Sequence, residues 1–173
     1  AVQFDGSARK LTCATTFTNF IANNACTIFL AMTPGTIPAG SGSQWDNASY
    51  FTESSGIFSL YARSSGPNMW FYNSAGSAQT TTTGITGAGT GTIISARHDS
   101  GSIYIRSSDG SWSSGTVSGN TTPLTGTMKI GTNYNEGIDL TADIGELVVY
   151  NSVLSTAHQN RAARFLKIKY GVA

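Results

Sequence analysis

Helix-type patterning is confined to one part of this 173-residue sequence, close to its C-terminal end. There Ser155 is a suitable N-cap, Ala162, Phe165 and Leu166 recur at helical spacing, and Gly171 stands where a helix commonly stops. Earlier in the sequence, apolar and polar residues alternate in short runs that Gly, Ser, Asn or Pro interrupt. The sequence therefore predicts an all-β chain that ends in one short α-helix.

The predicted strands share this two-residue period. In residues 26–33, Cys26, Ile28, Leu30 and Met32 fall on one face, which we expect to be buried. Residues 91–112 predict two strands joined at 99–101 and a second turn at Asp109-Gly110. Further strands are predicted within residues 2–7, 56–63, 68–74, 127–133 and 143–151.

The segment 74–92, "SAGSAQTTTTGITGAGTGT", has low complexity and carries no charge. Its composition is typical of a flexible loop. Its Thr run fits an edge strand equally well.

Charged residues are scarce, at 11% against the roughly 25% of ordinary soluble proteins. The net charge is +1, and residues 11–45 and 64–96 contain no charged residue at all. A chain of this kind has no electrostatic basis for binding nucleic acid or an anionic membrane. It also lacks an apolar run long enough for membrane insertion. We expect a single domain, 1–173, with a neutral, hydroxyl-rich surface.

Three further features of the sequence, namely the basic residues of the helix, the two cysteines and the first residue, leave alternatives open. Arg161, Arg164 and Lys167 drift around the predicted helix, so a solvated face is a better interpretation than a nucleic-acid stripe. Cys13 and Cys26 could form a disulfide in an oxidising setting or remain two buried thiols. The absence of an initiator Met suggests processing, or excision from a larger protein.

Three blocks of the sequence resemble the concanavalin A-like, laminin-G-like jelly-roll family. They are the opening "VQFDGS", the middle "ARHDSGSIYIRSSDGSW" and the ending that runs from "IGELVVYNSVLS" to "FLKIKYG". The residues that match the ending are Ile144, Glu146, Leu147, Tyr150, Asn151, Leu154, Ser155, Phe165, Leu166, Lys169, Tyr170 and Gly171.

The resemblance implies a two-sheet antiparallel jelly-roll sandwich with a short C-terminal α-helix. The family includes glycan lectins, receptor modules, bacterial surface modules and adhesion domains of phage virion proteins. The "KYG" ending is most similar to bacterial surface and phage structural proteins, which implies an extracellular or virion-surface location. Because such folds carry many functions, the resemblance does not fix one.

The pattern of acids argues against catalysis. Glucanase-type enzymes of this fold use two carboxylates on one strand about 5 Å apart. Here Glu146 is the one acid on the strongest strand, and Asp143, three residues earlier, is expected to point to the opposite face. We expect Glu146 to bond backbone amides near the start of the helix. His98-Asp99 lacks a nucleophile context, so a hydrolase triad is rejected.

A calcium ion is a conditional prediction. Asp5, Asp139, Asp143, Asn133 and Asn135 could supply oxygen ligands at one rim of the sandwich. The alternative is that Asp5 and Asp139 only shape turns. The sequence predicts no definite ligand set.

Aromatic residues provide the strongest argument for binding. Trp45, Trp112 and Tyr134 stand in predicted loops among hydroxyl and amide side chains, and Trp70 and Tyr72 could extend them across a strand face. Flat rings beside such groups suit sugars, although partial burial in the core is an equally good explanation for any one of them.

The sequence thus predicts a non-catalytic module that binds a glycan or a partner surface. The alternative is a structural decoration domain of a virion or cell-surface assembly, which would associate with neighbouring copies. An enzyme of the glucanase type is the third and least supported hypothesis.

Overall fold

The structure is a computed structural model. It describes residues 1–7, 9–16, 25–36, 49–54, 58–61, 68–73, 76–81, 89–99, 102–108, 110–116, 126–133, 136 and 138–172, with the backbone alone for residues 15, 68–73 and 76–81. Within them, no helix is long and apolar enough to cross a membrane.

The described part of the chain forms twelve strands followed by one helix. The strands are β1 Val2–Asp5, β2 Leu11–Thr16, β3 Cys26–Pro34, β4 Ser49–Glu53, β5 Phe58–Tyr61, β6 Asn68–Asn73, β7 Gly76–Thr81, β8 Thr92–Asp99, β9 Ser102–Ser107, β10 Ser113–Thr116, β11 Thr127–Ile130 and β12 Thr141–Tyr150. Helix α1 is Thr156–Tyr170.

These strands form two six-stranded sheets in which every pairing is antiparallel. Sheet A has the order β1-β12-β3-β8-β9-β10, and sheet B has the order β2-β11-β4-β5-β6-β7. Neighbours that lie far apart in sequence, such as β1 and β12, are typical of a jelly roll. The predicted all-β sandwich with one C-terminal helix is confirmed.

Alternation places the main core between the two sheets. Ile28, Leu30 and Ile94 from sheet A pack with Phe51 and Phe58 from sheet B, and all five are at most 1% exposed. This is the inner face of sheet A, and the predicted inward set of β3 lies on it.

The outer face of sheet A carries α1, which creates a second apolar cluster. Phe29, Ala31 and Ile93 from the sheet pack against Ala163 and Leu166 from the helix. Strand β3 is therefore buried on both faces, which explains why it has an apolar residue at nearly every position.

The ends of α1 have the predicted caps. Ser155 Oγ accepts a hydrogen bond from the His158 backbone N–H at 3.4 Å. Gly171 adopts the left-handed conformation, with φ 63°, and Val172 N–H donates to Lys167 C=O at 3.0 Å. Thr27 Oγ1 fixes the turn before the helix, because it donates to Ser152 C=O and accepts from Leu154 N–H, each at 3.0 Å.

The structure also resolves the local alternatives. Residues 76–81 form β7 at the edge of sheet B, so the edge-strand interpretation is confirmed there. Strands β8 and β9 are the two strands predicted in residues 91–112, and β10 follows the predicted second turn and completes an antiparallel meander. Cys13 and Cys26 are both free thiols. Burial raises the pKa of the Cys26 thiol to about 12.

Candidate functional site

Helix α1 lies along the outer face of sheet A and has a groove on each side. The apolar groove runs between α1 and β12, with a volume of about 670 Å³. The basic cavity lies between α1 and β9, with a volume of about 730 Å³. Both volumes fall in the range of small-ligand sites.

Aromatic side chains from the sheet and the helix form the walls of the apolar groove. Tyr150, at the end of β12, is 38% exposed and contacts the buried ring of Phe29 edge-on at 6.1 Å between centroids. Phe165, on α1, is 61% exposed. Val148, Leu154 and Ala162 complete the apolar lining. Two rings thus present open surface to the same groove.

A few polar groups border this groove. Glu146 accepts hydrogen bonds from Lys169 Nζ at 2.8 Å and from the Tyr170 hydroxyl at 3.2 Å. His158 Nδ1 lies 2.9 Å from Ser155 Oγ, and Arg161 is exposed at the rim. The groove therefore combines apolar rings with an acceptor and donors.

Three cations line the basic cavity. Arg106 comes from β9, while Arg164 and Lys167 come from α1. Arg106 Nη2 donates to Asn160 Oδ1 at 2.9 Å, and this hydrogen bond links β9 to α1 at the cavity. Asn160, Arg164 and Lys167 lie at i, i+4 and i+7, so one helix face presents them together. Arg161 lies on the other side, which agrees with the predicted drift of basic residues around the helix.

Trp112 lies beside this cavity and contacts two arginines. The Arg106 guanidinium is 4.5 Å from its ring centroid, and the Arg97 guanidinium is 5.3 Å away. Arg97 also packs at 4.1 Å over Tyr104. The predicted loop aromatic is therefore half-buried and positions guanidinium groups through cation–π contacts.

Two expectations about Glu146 and Asp143 are wrong. The first, that they point to opposite faces, fails because a β-bulge interrupts β12 at Gly145. The pairing shifts between Ile144 and Glu146, so Asp143 pairs with Thr33 and Glu146 with Ala31. Both acids consequently lie on the outer face of sheet A, not on opposite faces. Glu146 also bonds side chains at the end of α1, not backbone amides at its start, because the helix runs back along the strand.

The ring of Tyr170 packs over Gly145, the residue next to Glu146. A Cβ atom at Gly145 would lie 2.6 Å from Tyr170 Cε1, and the Tyr170 hydroxyl donates to Gly145 C=O at 3.0 Å. Lys169 lowers the pKa of Glu146 through its hydrogen bond. The carboxylate is thus held ionised beside the helix end.

Two of the predicted calcium ligands, Asp5 and Asn133, have other hydrogen-bond partners. Asp5 Oδ1 accepts from the Ser7 N–H at 3.0 Å and from its hydroxyl, which confirms a turn-shaping role. Asn133 is buried and its Oδ1 accepts from Ile138 N–H at 3.2 Å. The backbone of Asp139 pairs with Thr132 in an isolated β-bridge. In the described part of the chain, no three His, Cys, Asp or Glu side chains are grouped to hold a metal. Asn135 lies outside it.

The other predicted binding residues are not all described. Trp45 and Tyr134 lie outside the described residues. Trp70 and Tyr72 belong to β6, where the backbone of Trp70 pairs with Ser59 and Gln79, but their side chains lie outside the described set. Of the predicted ligand-binding residues, the structure places the side chain of Trp112, next to the basic cavity.

Sequence reasoning missed Tyr150, Phe165 and Arg106 as site residues. Tyr150 and Phe165 belong to the terminal signature, which we assigned to the fold alone. One pattern in the sequence could have indicated these two aromatic residues. Glu146, Val148 and Tyr150 lie on one face of a strand that leads directly into the helix carrying Phe165.

No family model and no curated protein sequence matches this chain. Solved structures do match. They include a native heptameric SAP-like pentraxin from Limulus polyphemus, with 17% identity and a TM-score of 0.66 over 93% of this chain and 80% of the other. The Trypanosoma rangeli sialidase has 15% identity and a TM-score of 0.66 over 96% and 27%.

A third similar structure is domain 4 of AbnA, a GH43 extracellular arabinanase from Geobacillus stearothermophilus, in complex with arabinotriose. It has 14% identity and a TM-score of 0.59 over 83% of this chain and 68% of the other. The chain spans only about a quarter of the sialidase chains that it matches. At these identities the likeness shows the fold alone. The chain has the concanavalin A-like jelly-roll fold, which agrees with the resemblance of its three sequence blocks.

Proposed function

We propose that this chain is a non-catalytic module that binds neutral saccharides in the apolar groove. The observation that carries the proposal is the pair of exposed rings, Tyr150 and Phe165, on opposite walls of one groove bordered by Glu146. Sugars bind such sites through their apolar C–H faces on the rings and through their hydroxyls on the polar groups. A structural neighbour in complex with arabinotriose supports the proposal by analogy of fold.

Calorimetry would test this proposal with arabinotriose, maltotriose, cellotriose and laminaritriose. We expect at least one trisaccharide to bind and Phe165→Ala to weaken its binding about tenfold, because a ring surface is lost. Phe165→Leu keeps an apolar side chain but no flat ring, so it should weaken binding nearly as much.

Leu11→Ala is the matched control, since Leu11 is also exposed, at 48%, but lies on β2 of the other sheet. It should bind as the wild type does. Binding that Phe165→Ala and Tyr150→Ala both leave intact would exclude the apolar groove as the site.

The absence of catalysis is also part of the proposal. A retaining pair needs one acid with a raised pKa, whereas Lys169 lowers the pKa of Glu146. The Tyr170 ring also packs over Gly145, which lies in β12 between Asp143 and Glu146, so the space between the two acids is not open to a substrate. We expect no turnover on a panel of β-glucans and arabinans. Hydrolysis abolished by Glu146→Gln would refute this.

A second candidate function is self-association through the same face. Among the described residues, four of the six exposed large hydrophobic side chains lie on α1 or at the end of β12: Tyr150, Phe165, Ile168 and Tyr170. Such clustering is typical of contact surfaces. Light scattering distinguishes the two functions, because a concentration-dependent dimer that Phe165→Ala dissociates would favour assembly.

We propose an extracellular or virion-surface setting for either function. The "KYG" ending, the low content of charged residues and the extracellular arabinanase among the structural neighbours support it. Labelling of intact virions or cells with an antibody against this chain is the test, and labelling only after lysis would contradict it.

A further inference from the structure

We propose that the basic cavity is a second binding site, specific for an acidic saccharide that carries carboxylate or sulfate groups. It lies on the opposite side of α1 from the apolar groove, so it is separate from the proposed neutral-saccharide site.

The first argument is the local concentration of positive charge. Arg106, Arg164 and Lys167 line the cavity, and Arg97 lies next to it through Trp112. They are four of the ten Lys and Arg residues in a chain of net charge +1. No acidic side chain is among the described residues that line the cavity. An anion entering it therefore meets several cations and no lining carboxylate.

The second argument is that the guanidinium groups are held in place before any ligand arrives. Arg106 is fixed by Asn160 and by the ring of Trp112. Arg97 is fixed between Tyr104 and Trp112. A guanidinium with restricted motion loses little entropy when it binds a carboxylate or sulfate, which it can contact with two parallel hydrogen bonds.

The third argument concerns the size and lining of the cavity, which favour a saccharide over a nucleic acid. About 730 Å³ accommodates a few sugar rings, and Ala163, Ile168 and Val172 supply apolar surface beside the Asn160 amide. The cations form a compact cluster, whereas a polynucleotide requires an extended basic surface. The negative end of α1 lies near Gly171, so the anionic groups should bind toward Arg106 and Arg164.

Calorimetry at low and at physiological salt would test the proposal with trigalacturonate, a sulfated disaccharide and inorganic sulfate. We expect trigalacturonate or the sulfated disaccharide to bind. Fully methyl-esterified trigalacturonate is neutral, so it should bind in this cavity at least tenfold more weakly than trigalacturonate. Arg164→Gln and Lys167→Gln should each weaken binding of the acidic sugar by about tenfold. Binding of the acidic sugar to the wild type should be weaker at physiological salt than at low salt.

Arg161→Gln is the matched control for this cavity, because it removes the same charge from the same helix but on the opposite side. It should leave binding of the acidic sugar unchanged. Arg106→Lys keeps the charge but loses the planar group, so a folded variant with weakened binding would assign the contact to the guanidinium. Thermal unfolding verifies that each variant is folded.

Three results would overturn the proposal. One is the absence of binding to every acidic sugar tested. Another is equal weakening by Arg164→Gln and Arg161→Gln, which would indicate general electrostatic attraction. The third is tighter binding of a 12-nucleotide single-stranded DNA than of either acidic sugar. Loss of neutral-saccharide binding in Phe165→Ala, with the acidic sugar still bound, would separate this site from the apolar groove.

Discussion

At the scale of single residues, Gly145 explains how two parts of the terminal signature, the strand around Glu146 and the helix end at Tyr170, fit together. Without a side chain at Gly145, the Tyr170 ring can pack directly on β12 and its hydroxyl can reach Gly145 C=O and Glu146. The bulge at this position also turns Glu146 toward Lys169. Two distant segments of the signature are thus one structural unit.

Gly145→Ala tests this unit. The added Cβ would lie 2.6 Å from Tyr170 Cε1, so the ring must move, and the hydrogen bond that its hydroxyl shares between Gly145 C=O and Glu146 weakens. We expect a loss of about 1–3 kcal/mol in the free energy of unfolding, measured with denaturant. Gly91→Ala is the control, because its Cβ would meet atoms no closer than 3.4 Å. A Gly145→Ala variant as stable as Gly91→Ala would show that the ring does not need this space.

The candidate site could be predicted only in part from single residues. The sequence indicated that Trp112 stands among polar groups, and the structure does place it beside a cavity. It could not indicate that Arg97 and Arg106 pack on the ring, because that contact depends on which strands become neighbours. Glu146 was assigned to the wrong end of the helix for the same reason: the direction of α1 over the sheet is a tertiary feature.

At the scale of elements, the stability of the sandwich depends on α1, which covers one face of β3. Leu166 is 2% exposed and packs with Phe29, Ala31 and Ile93. We expect Leu166→Ala to lower the free energy of unfolding by about 2–5 kcal/mol, because it leaves a cavity between helix and sheet. Denaturant unfolding followed by circular dichroism would measure the loss.

Ile168→Ala is the matched control for this helix, since Ile168 is only two residues away but is 73% exposed. Its effect on unfolding should stay within about 0.5 kcal/mol. If the two substitutions cost the same, the helix does not pack on sheet A as described.

The elements themselves were largely predictable, because their periods are clear. Strand β3, strands β8 and β9, and helix α1 all appear where the sequence predicted them. The bulge in β12 was not predictable, since an isolated glycine in a strand fits either a bulge or a regular position. Segment 74–92 was ambiguous because threonine is common both in edge strands and in loops.

At the scale of the whole molecule, stability should depend on pH through two kinds of group, a buried histidine and several carboxylates. His98 is 1% exposed in β8, and burial lowers its pKa to about 4, although Asp99 partly opposes the shift. In the unfolded chain this histidine has a pKa near 6.5. The unfolded state therefore binds more protons between about pH 6.5 and pH 4, and the folded state loses stability as the pH falls through this range.

We expect the free energy of unfolding to fall by up to about 1.4 kcal/mol per pH unit between pH 6.5 and 4. Denaturant unfolding at several pH values measures the slope, and His98→Asn should flatten it whatever its absolute stability. The carboxylates of Asp5, Glu136 and Glu146 have lowered pKa values, so their contribution to stability is lost as the pH falls below about 4.5 for the two glutamates and below about 3.8 for Asp5. An unchanged slope in His98→Asn would contradict the assignment.

The pairing of β1 with β12 has a consequence for synthesis. Val2 lies opposite Ile144, so β1 is synthesised long before β12, the strand beside which it lies in sheet A. Strand β3, with nine mostly apolar residues, has its partners β8 and β12 later in the chain, and it belongs to a segment from residue 11 to 45 that has no charge to repel a second nascent chain. During translation β3 therefore stays unpaired until β8 has been made, and co-expression of a chaperone that binds exposed apolar strands should increase the yield of native protein.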